Sequence, residues 1–75
     1  MVTEPLSMWV IYERPRDYPE YFVVRRWRVD RAGASALEAC ALVASLADAR
    51  EHVPRGAVNI GREPEDDPVI VESWV

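Results

Sequence analysis

The stretch SALEACALVASLADARE, residues 35–51, decides how this chain is read. Ser35-Ala36-Leu37-Glu38 matches a capping box, in which a serine hydroxyl and a glutamate three residues on satisfy the free amides at a helix start. An apolar, alanine-rich run follows. Leu42, Leu46, Ala49 and Val53 fall on one helical stripe, with Ser35 and Ala39 above them and Val43 and Ala47 widening it. Asp48, Arg50 and Glu51 fall toward the outside. Pro54 blocks continuation and Gly56 suits the turn beyond. The pattern predicts an amphipathic helix over 36–51, its alanines allowing close approach to a sheet.

Upstream, a turn at DRAGA separates this segment from YFVVRRWRV, residues 21–29. The odd positions, Tyr21, Val23, Arg25, Trp27 and Val29, are more apolar than the even ones, Phe22, Val24, Arg26 and Arg28, and are expected to face the core. Arg25 breaks that pattern, through either a bulge near Val24-Arg25 or an edge position where its stem lies flat. ERPRDYPE, residues 13–20, contains Pro15 and Pro19, so it can be neither helix nor central strand and is expected as a loop. MWVIY, residues 8–12, reads as a strand, and residues 1–7 as a flexible tail that Met8 would make an extension of the native start.

Downstream, AVNI (57–60) and VIVESWV (69–75) read as strands around the polar loop GREPEDDP (61–68). In the last strand Val69, Val71 and Val75 share one face, and Ile70, Glu72 and Trp74 the other. The expected fold is α+β in the order ββαββ: a mostly antiparallel sheet of three to four strands over 8–75, with the helix on one face.

Seventy-five residues make one small domain of marginal stability. Cys40 is the sole cysteine, so no disulfide forms within the chain, and no paired Cys-His cluster offers a zinc site. Self-association is the remaining support, which makes a homodimer the physical expectation. Nine arginines, no lysine and thirteen acids give a net charge of −4, against the basic excess of a general nucleic-acid binder. This usage resembles that of a high-GC bacterial genome. MVTEPLS lacks the basic and apolar regions of a signal peptide, and ACALVASLA, the longest uncharged apolar run, is far shorter than the roughly 20 residues that span a bilayer. With a free thiol, these point to the cytoplasm and to no membrane partner.

Catalytic chemistry finds little to work with. On a helix Cys40 and His52 would be about 18 Å apart, too far for a nucleophile–base pair. Cys40 reads as a small core residue, and His52 as a cation suited to the helix C-terminus. Glu63, Glu65, Asp66 and Asp67 lack the spacing and central glycine of a calcium loop and read as solvated. The expectation is a non-enzymatic domain without cofactor or metal.

Binding is better represented. With one face under the helix, the reverse of the sheet would display Phe22, Arg26, Arg28, Glu72 and Trp74. Residues 14–31 hold six arginines and three acids, whereas 51–75 hold two arginines and six acids. The arginines could neutralise the protein's own acids, with Glu72 meeting Arg26 or Arg28 across a ladder, or the two halves could orient a dimer or partner. The alternative is weak single-stranded nucleic-acid binding through Phe22, Arg26, Arg28 and Trp74. The proline-stiffened loop would present Arg16, Asp17 and Tyr18 at low entropic cost.

WVIYERPRDYPEYFVVRRW and EDDPVIVESWV together resemble a group of short uncharacterised bacterial and phage-borne proteins. These read roughly Trp-x-Ile-Tyr, Pro-Arg-Asp-Tyr/Phe-Pro, Phe-Val-x-Arg and Asp-Pro-x-Ile-Val-Glu-x-Trp. The resemblance covers both ends from Trp9 and matches the middle only loosely. It carries no known activity, and it implies Arg16, Asp17 and Glu72 as a shared surface.

Overall fold

The structure is a computed structural model and describes residues 6–75. It holds five strands and one short helix: β1 (Leu6–Glu13), β2 (Phe22–Asp30), β3 (Gly33–Val43), α1 (Leu46–Glu51), β4 (Asn59–Gly61) and β5 (Ile70–Trp74). All strand pairs are antiparallel and form one sheet in the order β3-β2-β1-β5-β4. Of the tail expected over 1–7, Leu6 and Ser7 belong to β1, where they pair with Val29 and Arg28; residues 1–5 lie outside the described ones.

The expected ββαββ fold with a long amphipathic helix is overturned at residues 33–43. They form an eleven-residue strand, and the helix is confined to 46–51. Two features explain the difference. The turn ahead of the segment is tight: Asp30 pairs directly with Gly33, the Asp30 Oδ1 accepts the Ala32 amide at 2.8 Å, and Gly33 takes φ +124°, which side-chain-bearing residues avoid. This reverses the chain alongside β2 and starts a hairpin where the helix was expected. The helix preference of the run is a few tenths of a kcal/mol per residue, easily outweighed by pairing along β2. A second capping signal lies ten residues after the first. Ser45 is the true N-cap, its Oγ accepting the Asp48 amide at 3.1 Å.

Residues that pair across strands share a face of the sheet. Trp9, Ile11, Phe22, Val24, Ala41, Val43, Glu72 and Trp74 lie on the face that carries α1, here the helix face. Ile11, Val24 and Ala49 are wholly buried there, with Leu46, Val53 and Val71 packed around them. The side chains of Ile11 and Val24 each contribute about 1.5–3 kcal/mol by leaving water. The even positions of β2 therefore meet the helix, not the odd ones as expected.

Met8, Val10, Tyr12, Val23, Arg25, Trp27 and Val29 occupy the reverse face. Val10 and Val23 are also buried, although no helix covers them. Val23 lies in a cleft bordered by the polar 14–21 and 62–69 connections, and Val10 in a smaller one beside Asp66 and Ile70. Both faces of β2 are thus partly apolar. This is why its alternation could not tell inside from outside.

The irregularity expected near Val24-Arg25 exists, with a different owner. The β1–β2 register is unbroken, whereas the β2–β3 register shifts on both sides of the Arg25–Ala39 pair. The surplus residues belong to β3, and β2 keeps its own alternation.

Candidate functional site

The 14–21 connection is built from two consecutive turns. Tyr18 donates its amide to the Pro15 carbonyl at 2.9 Å, and Tyr21 donates to Tyr18 at 3.2 Å. Arg14 bonds back to the Tyr21 carbonyl at 2.9 Å and holds φ +47°, a left-handed conformation uncommon for a residue with a long side chain. Pro15 is buried. The loop is therefore held in one shape, and it carries Arg16 and Asp17 over the reverse face.

There it meets Arg25. The Arg25 guanidinium lies 3.2 Å from Asp17 Oδ2 and 5.8 Å from the centre of the Tyr12 ring. Its Nε is buried without a hydrogen-bond partner among the described residues. The Tyr12 hydroxyl accepts the Trp27 Nε1 proton at 2.9 Å. Burial pushes the Tyr12 phenol above its ordinary value, and the Trp27 hydrogen bond and the Arg25 charge oppose that rise only in part. A cleft of about 520 Å³ opens here, its polar rim formed by Arg16, Asp17, Arg25 and Asp67. Beyond Arg25 a second, shallower groove of about 560 Å³ runs along β3, lined by Tyr18, Ala36, Leu37, Ala39 and Leu42. Arg25 belongs to both.

Two aspartates of the 62–69 connection also accept backbone amides locally. Asp66 Oδ2 accepts the Glu63 amide at 2.9 Å, and Asp67 Oδ1 accepts the Val69 amide at 3.1 Å. These are the self-capped turns that aspartates commonly make.

On the helix face a different cluster forms. Glu72 is 4% exposed and accepts from Arg50 Nη2 at 2.7 Å, Arg50 Nε at 3.2 Å, Asn59 Nδ2 at 3.2 Å and Trp74 Nε1 at 2.6 Å. The Arg50 hydrogen bond, helped by that of Trp74, holds the Glu72 carboxyl below the usual carboxylate range despite its burial. This four-residue network ties the helix, β4 and β5 together.

The expected site residues thus divide. Arg16, Asp17 and Tyr18 come together around Arg25 as one surface. Phe22 and Trp74 pack against the core beneath the helix instead of forming an open stacking platform. Glu72 bonds Arg50, not Arg26 or Arg28, because β5 lies beside β1 and not beside β2. Arg26 donates to Ser7 Oγ at 2.8 and 3.1 Å and lies 6.0 Å from the Trp9 ring, while Arg28 sits 3.5 Å from Asp30. Cys40 is exposed on β3 and is not a core residue; His52 forms the helix C-cap.

Arg25 and Tyr12 were missed as site residues. The signal was present: an arginine at an otherwise apolar odd position needs a partner, and an acid in a stiff loop nearby is the natural one.

Among the described residues, no helix is long and apolar enough to cross a membrane, and no group of three or more acid, histidine or cysteine side chains could hold a metal ion. Comparison with protein-family models, curated proteins and solved structures finds no match.

Proposed function

We propose that this chain is a small, non-catalytic protein–protein interaction module of the bacterial cytoplasm, which takes up an extended strand at the β3 edge. The observation that carries this reading is the position of β3. It is a terminal strand of the sheet, eleven residues long, with a single charged residue and no proline. Such an edge leaves a row of amides and carbonyls free to pair with another chain. Leu37 and Leu42 stand 41% exposed beside it. The groove along β3 gives an added strand places for alternate side chains, and the PRDYP loop closes its far wall through Tyr18. The opposite edge, β4, has three residues and a broken register, which suits it poorly for the same task.

The test is selection of extended peptides from a displayed random library, followed by amide hydrogen exchange on the complex. Supported, the reading gives binders that protect residues 33–43 and lose affinity in Leu42→Asp. Binders that protect only β4 and β5, or a library that gives none, refute it.

A further inference from the structure

We infer that the strand taken up at the β3 edge is β3 of a second copy, giving an antiparallel dimer with a continuous ten-stranded sheet. The inference rests on the interaction reading above and names its partner. Three observations lead to it. The buried apolar core comprises only Val10, Ile11, Val23, Val24 and Ala49 among the described residues, so the chain gains from association. Antiparallel pairing of one strand with itself is self-complementary about a two-fold axis. The third observation sets the register.

The two irregularities of β3 lie on either side of Ala39, leaving regular strand at both ends. A two-fold axis through Ala39 sets Ala39 opposite Ala39 and Ala36 opposite Leu42, regular strand against regular strand. Ala36, Ala39 and Leu42 all share the reverse face, as directly paired residues must. It also places two small uncharged residues on the axis. The contact is one strand long, at the low end of specific interfaces below about 1,200 Å² in total, so dimerisation should depend on concentration.

Cys40, the only thiol, is a native reporter. With the axis at Ala39, two residues of strand rise and one strand spacing put the two Cys40 Cα atoms about 8 Å apart. A dimer through β4 would separate them by about 43 Å, nine strand spacings.

The experiment combines sedimentation from micromolar to millimolar concentration under reducing conditions, amide exchange at both extremes, and dipolar EPR of the nitroxide-labelled chain. The expected result is a concentration-dependent dimer, protection of β3 amides in the dimer, and a label separation under about 20 Å. If the label itself prevents association, exchange on the unlabelled chain decides. Ala39→Asp and Ala39→Lys should each remain monomeric at least tenfold above the wild-type midpoint, and an equimolar mixture should restore the dimer. That rescue also shows that both variants are folded. A monomer at every concentration, a dimer without β3 protection, or variants that dimerise unaided overturns the inference. Peptide binding at β3 by such a monomer would leave the broader interaction reading standing, and its absence would remove both.

Discussion

Replacing Glu72 tests whether the helix-face network holds the fold or decorates it. Glu72→Ala removes four accepted hydrogen bonds at once. A hydrogen bond to a charged group contributes about 1.5–3 kcal/mol when its partner stays buried, and breaking a fully buried ion pair costs about 3–5 kcal/mol. The sum is smaller here. The Arg50 side chain is 49% exposed and regains water when released, and the carboxylate's own desolvation cost disappears with it. What stays unsatisfied is mainly the part-buried Trp74 Nε1. A net loss of about 2–3 kcal/mol follows, against a total stability of about 4–11 kcal/mol for a domain of this size. The melting temperature should fall by about 10–20 °C. Urea unfolding followed by tryptophan fluorescence reads the change. Glu65→Ala on an exposed turn is the control, expected within about 0.5 kcal/mol of wild type.

The same network makes a pH prediction. The Glu72 pKa is lowered in the folded state, so its contribution is complete above the unfolded carboxylate pKa and disappears as pH falls through the folded one. Wild type should lose stability on acidification below about pH 4.5, and Glu72→Gln should lose less over that interval. A Glu72→Ala loss no larger than the control, or identical acid sensitivity in wild type and Glu72→Gln, would refute the assignment of the network as a structural tie.

Other outcomes follow from the same geometry. Ser45→Ala should destabilise by about 0.5–2 kcal/mol through loss of the helix cap, and Ser35→Ala, exposed on β3, should change little; the reverse order would restore the longer helix. Gly33→Ala should cost about 1 kcal/mol or more, because alanine resists the positive φ that starts β3, and a neutral result would contradict the hairpin. Trp27→Phe removes a hydrogen bond that lowers the Tyr12 pKa, so ultraviolet titration should show one tyrosine ionising at still higher pH. In wild type, the Tyr12 contribution to stability is complete below the unfolded phenol pKa near 10 and is lost as pH rises through the folded value.

Four strands were legible in the residues because each depends on neighbours in sequence. Prolines 15 and 19 exclude a helix before β2, the Asp30–Gly33 turn ends it, and Ile11, Val23 and Val24 belong to short runs that suit strands. The stiffness of the PRDYP loop was equally local. Residues 33–43 were not legible, because alanine and leucine in that run favour a helix locally, by a margin small enough for strand pairing to override. What chose between them was the open edge of β2, a surface that exists only after the first hairpin has formed. The same reason hid the site. Asp17 and Arg25 are eight residues apart, and only a sheet whose two faces are both partly apolar brings them together over Tyr12. Local chemistry thus determined where the chain turns and which segments extend. Tertiary pairing decided which face of each strand is covered, because a strand apolar on both sides takes its orientation from whatever packs against it.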